Sequence, residues 1–281
     1  MKPAFSTVAC PEWTLDRVAA AAERWGYLGV ELRTFGFGSK DFACDPALTA
    51  ASKASRMFRD AGVEPMTLAT SIRYDDPITP PVIGNVISDL EHDLRQTKGA
   101  IDLAVQMECP FVRVFGFEAV NDERRGVLVK RIASRLKDCC AYARNSGVKL
   151  LLENGGSFRR ASEVSEILDA VDSPLLLTAY SIPVARSAGE EPAAGINVLG
   201  DRVVSVKIKD FKGQRPCALV EGERGVRDDI DALGSAGFTG WVVFEYDRAW
   251  FPGCEDADPV LERSARRLFE WINGAAAHPE R

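Results

Sequence analysis

The side chains of this 281-residue sequence best suited to chemistry sit at the ends of apolar runs. Glu153 closes VKLLLE, Glu245 lies in GWVVFEY, and Lys207 and Lys209 alternate with Val206 and Ile208 in VVSVKIK. A carboxylate beside a ligand can take or give a proton, and a buried ammonium can polarise a ligand oxygen. A lysine next to a second cation can instead become a Schiff-base nucleophile, because its pKa falls. Carboxylates on either side of Lys207 would keep it protonated and oppose that role. Glu31 and Arg33 in GVELR and Arg113 in PFVRVFG extend the group, and a guanidinium offers paired donors to a carboxylate or phosphate. Taken singly, each charge also reads as half of a structural ion pair. Taken together, so many charges on separate run ends point to a ligand site. The only histidines are His92 and His278, far from these runs, so no Ser-His-Asp or Cys-His constellation is built here.

The elements that must position these groups follow from periodicity. Apolar runs at 3–8, 29–33, 65–70, 110–116, 148–153, 174–179, 203–209 and 240–246 alternate with helical patterns. Those patterns fall at 15–25, 47–62, 86–108, 123–146, 161–171, 191–199, 226–236 and 259–272. Thr14 suits a helix N-cap, and Gly26, Gly62, Gly147 and Gly237 suit left-handed C-terminal positions. The near-continuous apolar runs predict parallel strands buried on both faces. Eight such units predict one (β/α)8 TIM barrel over residues 1–275 with a tail at 276–281; a doubly wound sheet has no preference for eight.

In that fold function sits where strands end, and alternation sends Lys207 and Lys209 inward together. Phe35, Phe37, Tyr74, Trp250 and Phe251 follow strand ends and read equally as the wall of an apolar or sugar-stacking pocket and as ordinary loop packing. The glycine-containing stretches 36–38 and 222–225 lack dinucleotide or P-loop spacing and read as turns. Asp228, Asp229 and Asp231 open a helix, where acids favour the dipole.

Lys plus Arg number 35 against 41 Asp plus Glu, a net charge of −6, so the basic footprint of a nucleic-acid binder is missing. The first apolar stretch, 4–10, is short and broken by Ser6 and Thr7, unlike a signal peptide, and no run is long enough to span a bilayer. Seven scattered cysteines with no C-x-x-C pair predict a reduced, cytoplasmic protein.

The order of several segments resembles the sugar phosphate isomerase/epimerase family of xylose isomerase-like TIM barrels over nearly the whole chain. They are PEWTLDRVAAAAERWGYLGVELR, PFVRVFG, VKLLLEN, AGEEP, VKIKD and GFTGWVVFEYDRAWFPGCEDADP. The resemblance implies a barrel that isomerises or epimerises sugars through an enediolate. It also implies one divalent cation held by Glu, Asp, His and Glu from strands five to eight. Some relatives are dehydratases, lyases or keto-inositol isomerases.

Carried over residue by residue, the two Glu positions fall on Glu153 and Glu245, but the Asp falls on Ser181 and the His on Lys207. Further family positions fall on Val184, Gly155 and Phe251. Two carboxylates beside an ammonium make a poor divalent site, so the expectation is no metal cofactor, with weak Mn or Mg binding disfavoured.

Glu153, Glu245 and Lys207 are therefore the expected catalytic group. Glu31, Arg33, Arg113, Lys209 and Trp250 are expected to bind a small polyhydroxylated ligand such as a sugar, keto-sugar or inositol. A non-catalytic sugar- or partner-binding relative is the alternative. An endonuclease IV-like nuclease stands far behind, since it would need several zinc ions and many histidines. The expected partners include neither nucleic acid nor membrane, and a homo-oligomer stays open.

Overall fold

Eight parallel strands close on themselves because each carries one apolar face for the helices and a second face for the barrel interior. The computed structural model of the protein describes residues 1–35, 42–75, 90–114, 118–119 and 123–276. The barrel strands are β1 (Lys2–Ser6), β2 (Gly29–Arg33), β3 (Glu64–Ala69), β4 (Phe111–Val114), β5 (Lys149–Glu153), β6 (Leu176–Ser181), β7 (Val203–Ile208) and β10 (Trp241–Phe244). They run in the order β1-β2-β3-β4-β5-β6-β7-β10, with β10 pairing back onto β1. The outer layer contains α1 (Leu15–Trp25), α2 (Ala51–Asp60), α3 (Leu90–Gln106), α4 (Arg125–Ala143) and α5 (Ala161–Val171). It continues with α6 (Ile182–Ser187), α7 (Pro192–Leu199), α8 (Val226–Ser235) and α9 (Ala257–Ala276). The predicted TIM barrel is the observed fold, and α1 and α5 start and stop where the apolar period does.

Alternation along the strands separates two cores. Val30, Leu32, Val112, Val114, Leu150, Leu152, Val206, Ile208, Val242 and Phe244 pack outward with the helices in the large core. Ala4, Met66, Trp241 and Val243 form a separate plug inside the barrel. Gly29 makes room for that plug, because a Cβ there would lie 2.6 Å from the Trp241 ring. The next inward residues after the plug are the charged ones: Lys207 is the register partner of Val243 on one side and of Ser181 on the other.

Departures from the expected elements have local causes. The helix expected over 47–62 begins only at Ala51, because Asp45 and Pro46 first form a 3-10 turn in which the Asp45 side chain accepts from the Ala47 amide at 2.9 Å. The additional helix α6 follows β6 directly, and a short antiparallel hairpin, β8 (Asp210–Lys212) with β9 (Arg215–Cys217), follows β7. Gly26 takes φ +80° and its amide reaches the Ala22 and Glu23 carbonyls, as a left-handed cap should. Thr14 holds the N-cap position of α1 without a side-chain cap bond. Asp229 is more than a dipole acid: it is buried and accepts from Arg186 Nε at 2.7 Å. Residues 36–38, including Phe37, lie outside the described residues, as does the 86–89 start of the third expected helix. Among the described residues no helix is long and apolar enough to cross a membrane.

Candidate active site

Five strands deliver charges to one point at the C-terminal side of the barrel. Lys207 on β7 places Nζ 3.1 Å from Glu31 Oε1 (β2), 3.0 Å from Glu153 Oε2 (β5) and 2.7 Å from Glu245 Oε2, one residue past β10. Arg113 on β4 brings Nε to 3.2 Å from the same Glu153 oxygen. Lys207 is 1% exposed and Glu31 1%, so this is a buried cluster rather than a solvated rim. Such buried charges persist because each is paired, and Lys207, Glu153 and Glu245 each face two or more of opposite sign.

A second tier lies nearer solvent. Lys209 Nζ donates to Glu245 Oε1 at 2.8 Å and to both Asp247 oxygens at 2.9 Å. Glu245 therefore has one lysine on each oxygen. Asp247 was not among the expected residues, although it shares the inward parity of Glu245 in the segment EYD and could have been found by continuing that alternation past the strand end. Asn154, next to Glu153, is buried and structural. Its Oδ1 accepts from the Ser181 amide at 2.6 Å and its Nδ2 donates to the Ser181 and Arg159 carbonyls, which ties the ends of β5 and β6 together.

The other expected residues are distributed less simply. Arg33 makes no ion pair among the described residues; it donates to the Ala69 and Thr70 carbonyls at 3.1 and 2.7 Å and to Ser71 Oγ, bracing the end of β3. Trp250 is half exposed at the lip, with its ring 5.8 Å from Phe35, which stacks on Phe42. Phe251 meets Phe211 edge-on at 6.3 Å. Tyr74 takes the packing alternative and is no pocket wall: it is fully buried, with its hydroxyl 2.6 Å from Thr97 Oγ1, because the chain after β3 turns it toward α3. Asp210 has the outward parity of Ile208, and its carboxylate accepts from the Val220, Gly222 and Arg224 amides, organising a loop instead of facing the mouth.

Electrostatics follow from this packing. Burial alone would lower Lys207 and Arg113, but for both the surrounding glutamates win and hold the pKa above its ordinary value. Lys209 is raised in the same way by Glu245 and Asp247. Arg33 is pushed down to about 10, by burial first and then by Arg113. Burial would raise Glu245, yet Lys207 and Lys209 together hold it well below the carboxylate range. Four carboxylates meet three cations in direct pairs, and the surplus shows at Asp247, which burial and Glu245 push up to about 6 against the pull of Lys209.

That shift fixes a pH signature. An acid whose folded pKa exceeds its unfolded value holds more protons in the native state between the two, so stability falls as pH rises from about 4 to about 6. Glu245 acts oppositely: its contribution is present above the ordinary glutamate pKa and is lost as pH falls toward the depressed value. Asp247→Asn should therefore remove a decline on the order of 2 kcal/mol between pH 4 and 6. Urea unfolding midpoints across that interval check it, and an unchanged decline in the variant would put the titrating group elsewhere.

A model of the family described as "Xylose isomerase-like TIM barrel" matches residues 19–273. The chain belongs to this family. Among curated relatives, fructoselysine 3-epimerase from Shigella flexneri is 25% identical over 262 residues, covering 87% of this chain and 90% of that protein. Among solved structures, an L-ribulose 3-epimerase superposes with a TM-score of 0.80 at 13% identity, covering 99% of this chain and 96% of that one. D-Psicose 3-epimerase with D-tagatose from Clostridium cellulolyticum H10 gives 0.75 at 12% identity, covering 98% and 99%.

The divalent cation implied by the family resemblance does not fit the residues present. The Lys207 ammonium stands among Glu31, Glu153 and Glu245, in contact with an oxygen of each. Ser181 supplies only a short hydroxyl at the position of the family aspartate. Among the described residues, no group of three or more His, Cys, Asp or Glu is arranged to hold a metal ion.

Proposed function

We propose that this protein binds a small polyhydroxylated, carbonyl-bearing ligand of the keto-sugar type and performs its family's isomerase or epimerase chemistry without a divalent cation. The observation that carries this reading is the Lys207 ammonium in contact with three inward glutamates from separate strands. Proton abstraction beside a carbonyl needs a carboxylate near the carbon and a positive charge near the oxygen where charge develops. The glutamates at the strand ends offer the first, and Lys207 with Lys209 supplies the second. The epimerase names among the relatives support a keto-sugar ligand. The seven cysteines, all free thiols, suit the cytoplasmic setting expected from the sequence.

A second reading, a sugar binder without turnover, is favoured by the way Glu245 is held by a lysine on each oxygen. Thermal shift and product analysis with a panel of ketoses, each with EDTA and with added Mn²⁺, separate the two. The proposal expects ligand stabilisation and turnover that EDTA leaves intact. Stabilisation without turnover selects the binder, and turnover that appears only with Mn²⁺ overturns the metal-free mechanism.

A further inference from the structure

We propose that Glu153 alone transfers the proton at this mouth, that Glu245 is a fixed counter-charge, and that the chemistry therefore stays on one face of the ligand. This rests on the keto-sugar reading above and narrows it to a kind of proton transfer. The geometry separates the three central glutamates. Glu245 has one oxygen in an ion pair with Lys207 at 2.7 Å and accepts a hydrogen bond from Lys209 on the other at 2.8 Å, so each of its oxygens lies against an ammonium group. Asp247 braces Lys209 there with both oxygens. Glu31 sits two residues before the end of β2, with Arg33 following at the same parity above it. Glu153 is the last residue of β5, and only its Oε2 enters ion pairs, with Lys207 and Arg113; among the described residues no partner holds its Oε1. A general base works through an uncommitted oxygen and loses basicity when cations hold its charge. Glu245, held well below the carboxylate range by two lysines, fails on both counts.

The step balances with groups already present. Glu153 Oε1 takes the hydrogen from the carbon beside the carbonyl; that C–H pair becomes a C=C bond, and the carbonyl π pair moves to oxygen. Lys209, the less buried of the two ammonium groups, faces the oxygen that gains charge. Return of the proton from Glu153 to the former carbonyl carbon, with the neighbouring hydroxyl proton passing to the other oxygen, yields the aldose–ketose isomer. Return to the original carbon regenerates the starting sugar with its configuration retained. Inversion would require a donor on the opposite face, and Glu245 is already committed to its lysines.

Two measurements on the full chain test this. The first is reaction with glycidol, a small hydroxylated epoxide that a free carboxylate opens: a carboxylate oxygen bonds to carbon, the ring C–O bond breaks, and the alkoxide takes a proton from water. Peptide mapping should find the ester on Glu153. Exposure alone predicts the reverse, since the Glu245 side chain is 11% exposed and that of Glu153 only 5%. The second is D-fructose in D₂O followed by NMR. Deuterium should enter beside the carbonyl with retention or accompany aldose formation, and Glu153→Gln should slow this about 100-fold. An ester on Glu245, no ester on Glu153, or D-fructose inverted at the exchanging carbon overturns the inference. Esterified Glu153 with no exchange upholds Glu153 as the available base while overturning catalysis on this keto-sugar, so the two failures are distinguishable.

Discussion

Lys207→Ala is expected to cost about 3–5 kcal/mol of folding stability at neutral pH, the penalty for stripping the partner from a buried charge cluster. The side chain removed is itself small change: its methylene stem packs in the barrel, but its nitrogen touches buried Glu31 and Glu153 and the partly exposed Glu245. After substitution Arg113 still faces Glu153 and Lys209 still faces Glu245, which leaves Glu31 without its lysine. Two rescues should follow from that account. Acidification should recover part of the loss, because a protonated glutamate no longer carries uncompensated charge. Mn²⁺ or Ca²⁺ should also stabilise the variant, since oxygen ligands around a vacated ammonium position suit a hard cation. Urea unfolding of parent and variant with and without the ion measures both. A loss under about 1 kcal/mol, the size expected of a surface pair, would mean that water already screens the cluster and that its burial has been overstated.

The cluster was largely legible in the sequence because barrel geometry converts alternation into location. Once VVSVKIK is read as a strand, Lys207 must point inward where Val206 and Ile208 point to the helices, and Glu31, Arg113, Glu153 and Glu245 follow by the same rule on their own strands. What alternation does not contain is the partner of each charge. Arg33 has the inward parity, yet its guanidinium turns aside to carbonyls at the end of β3, a choice made by the geometry of a neighbouring loop. Tyr74 lies past the same strand and goes to the core instead of the mouth, because nothing local distinguishes an aromatic that packs beneath a helix from one that lines a pocket. Asp247 was missed for the opposite reason: its parity was readable, but it falls in a loop, where alternation carries no authority until the backbone is seen. The helix α6 and the hairpin β8–β9 are short insertions after strand ends, where hydrophobic periodicity is too brief to register.

Restoring the family's ligand set should create a metal site the parent lacks. Ser181 and Lys207 are register partners on β6 and β7, so Ser181→Asp together with Lys207→His would present a carboxylate and an imidazole side by side, with Glu153 and Glu245 flanking them. Neutral imidazole and carboxylates suit Mn²⁺ or Zn²⁺, and the Asn154 bonds to the Ser181 backbone hold that strand end in place for the new ligand. The single variants should be unequal. Ser181→Asp leaves the ammonium in position, and a divalent ion about 4 Å from it meets repulsion on the order of 8 kcal/mol at an effective dielectric near 20, so that variant should bind no metal. Lys207→His removes the repulsion and leaves Glu31, Glu153 and Glu245 with an imidazole but without the family aspartate, so it should bind weakly. The double variant should bind with stoichiometry near one, and at an ion concentration about 100 times its Kd it should gain about 2.7 kcal/mol of stability. Titration calorimetry with Mn²⁺ on the four proteins ranks them. If Ser181→Asp alone gained the metal, or the parent already held one per chain, the ammonium would not be what keeps the cation out, and the missing aspartate would carry the difference instead.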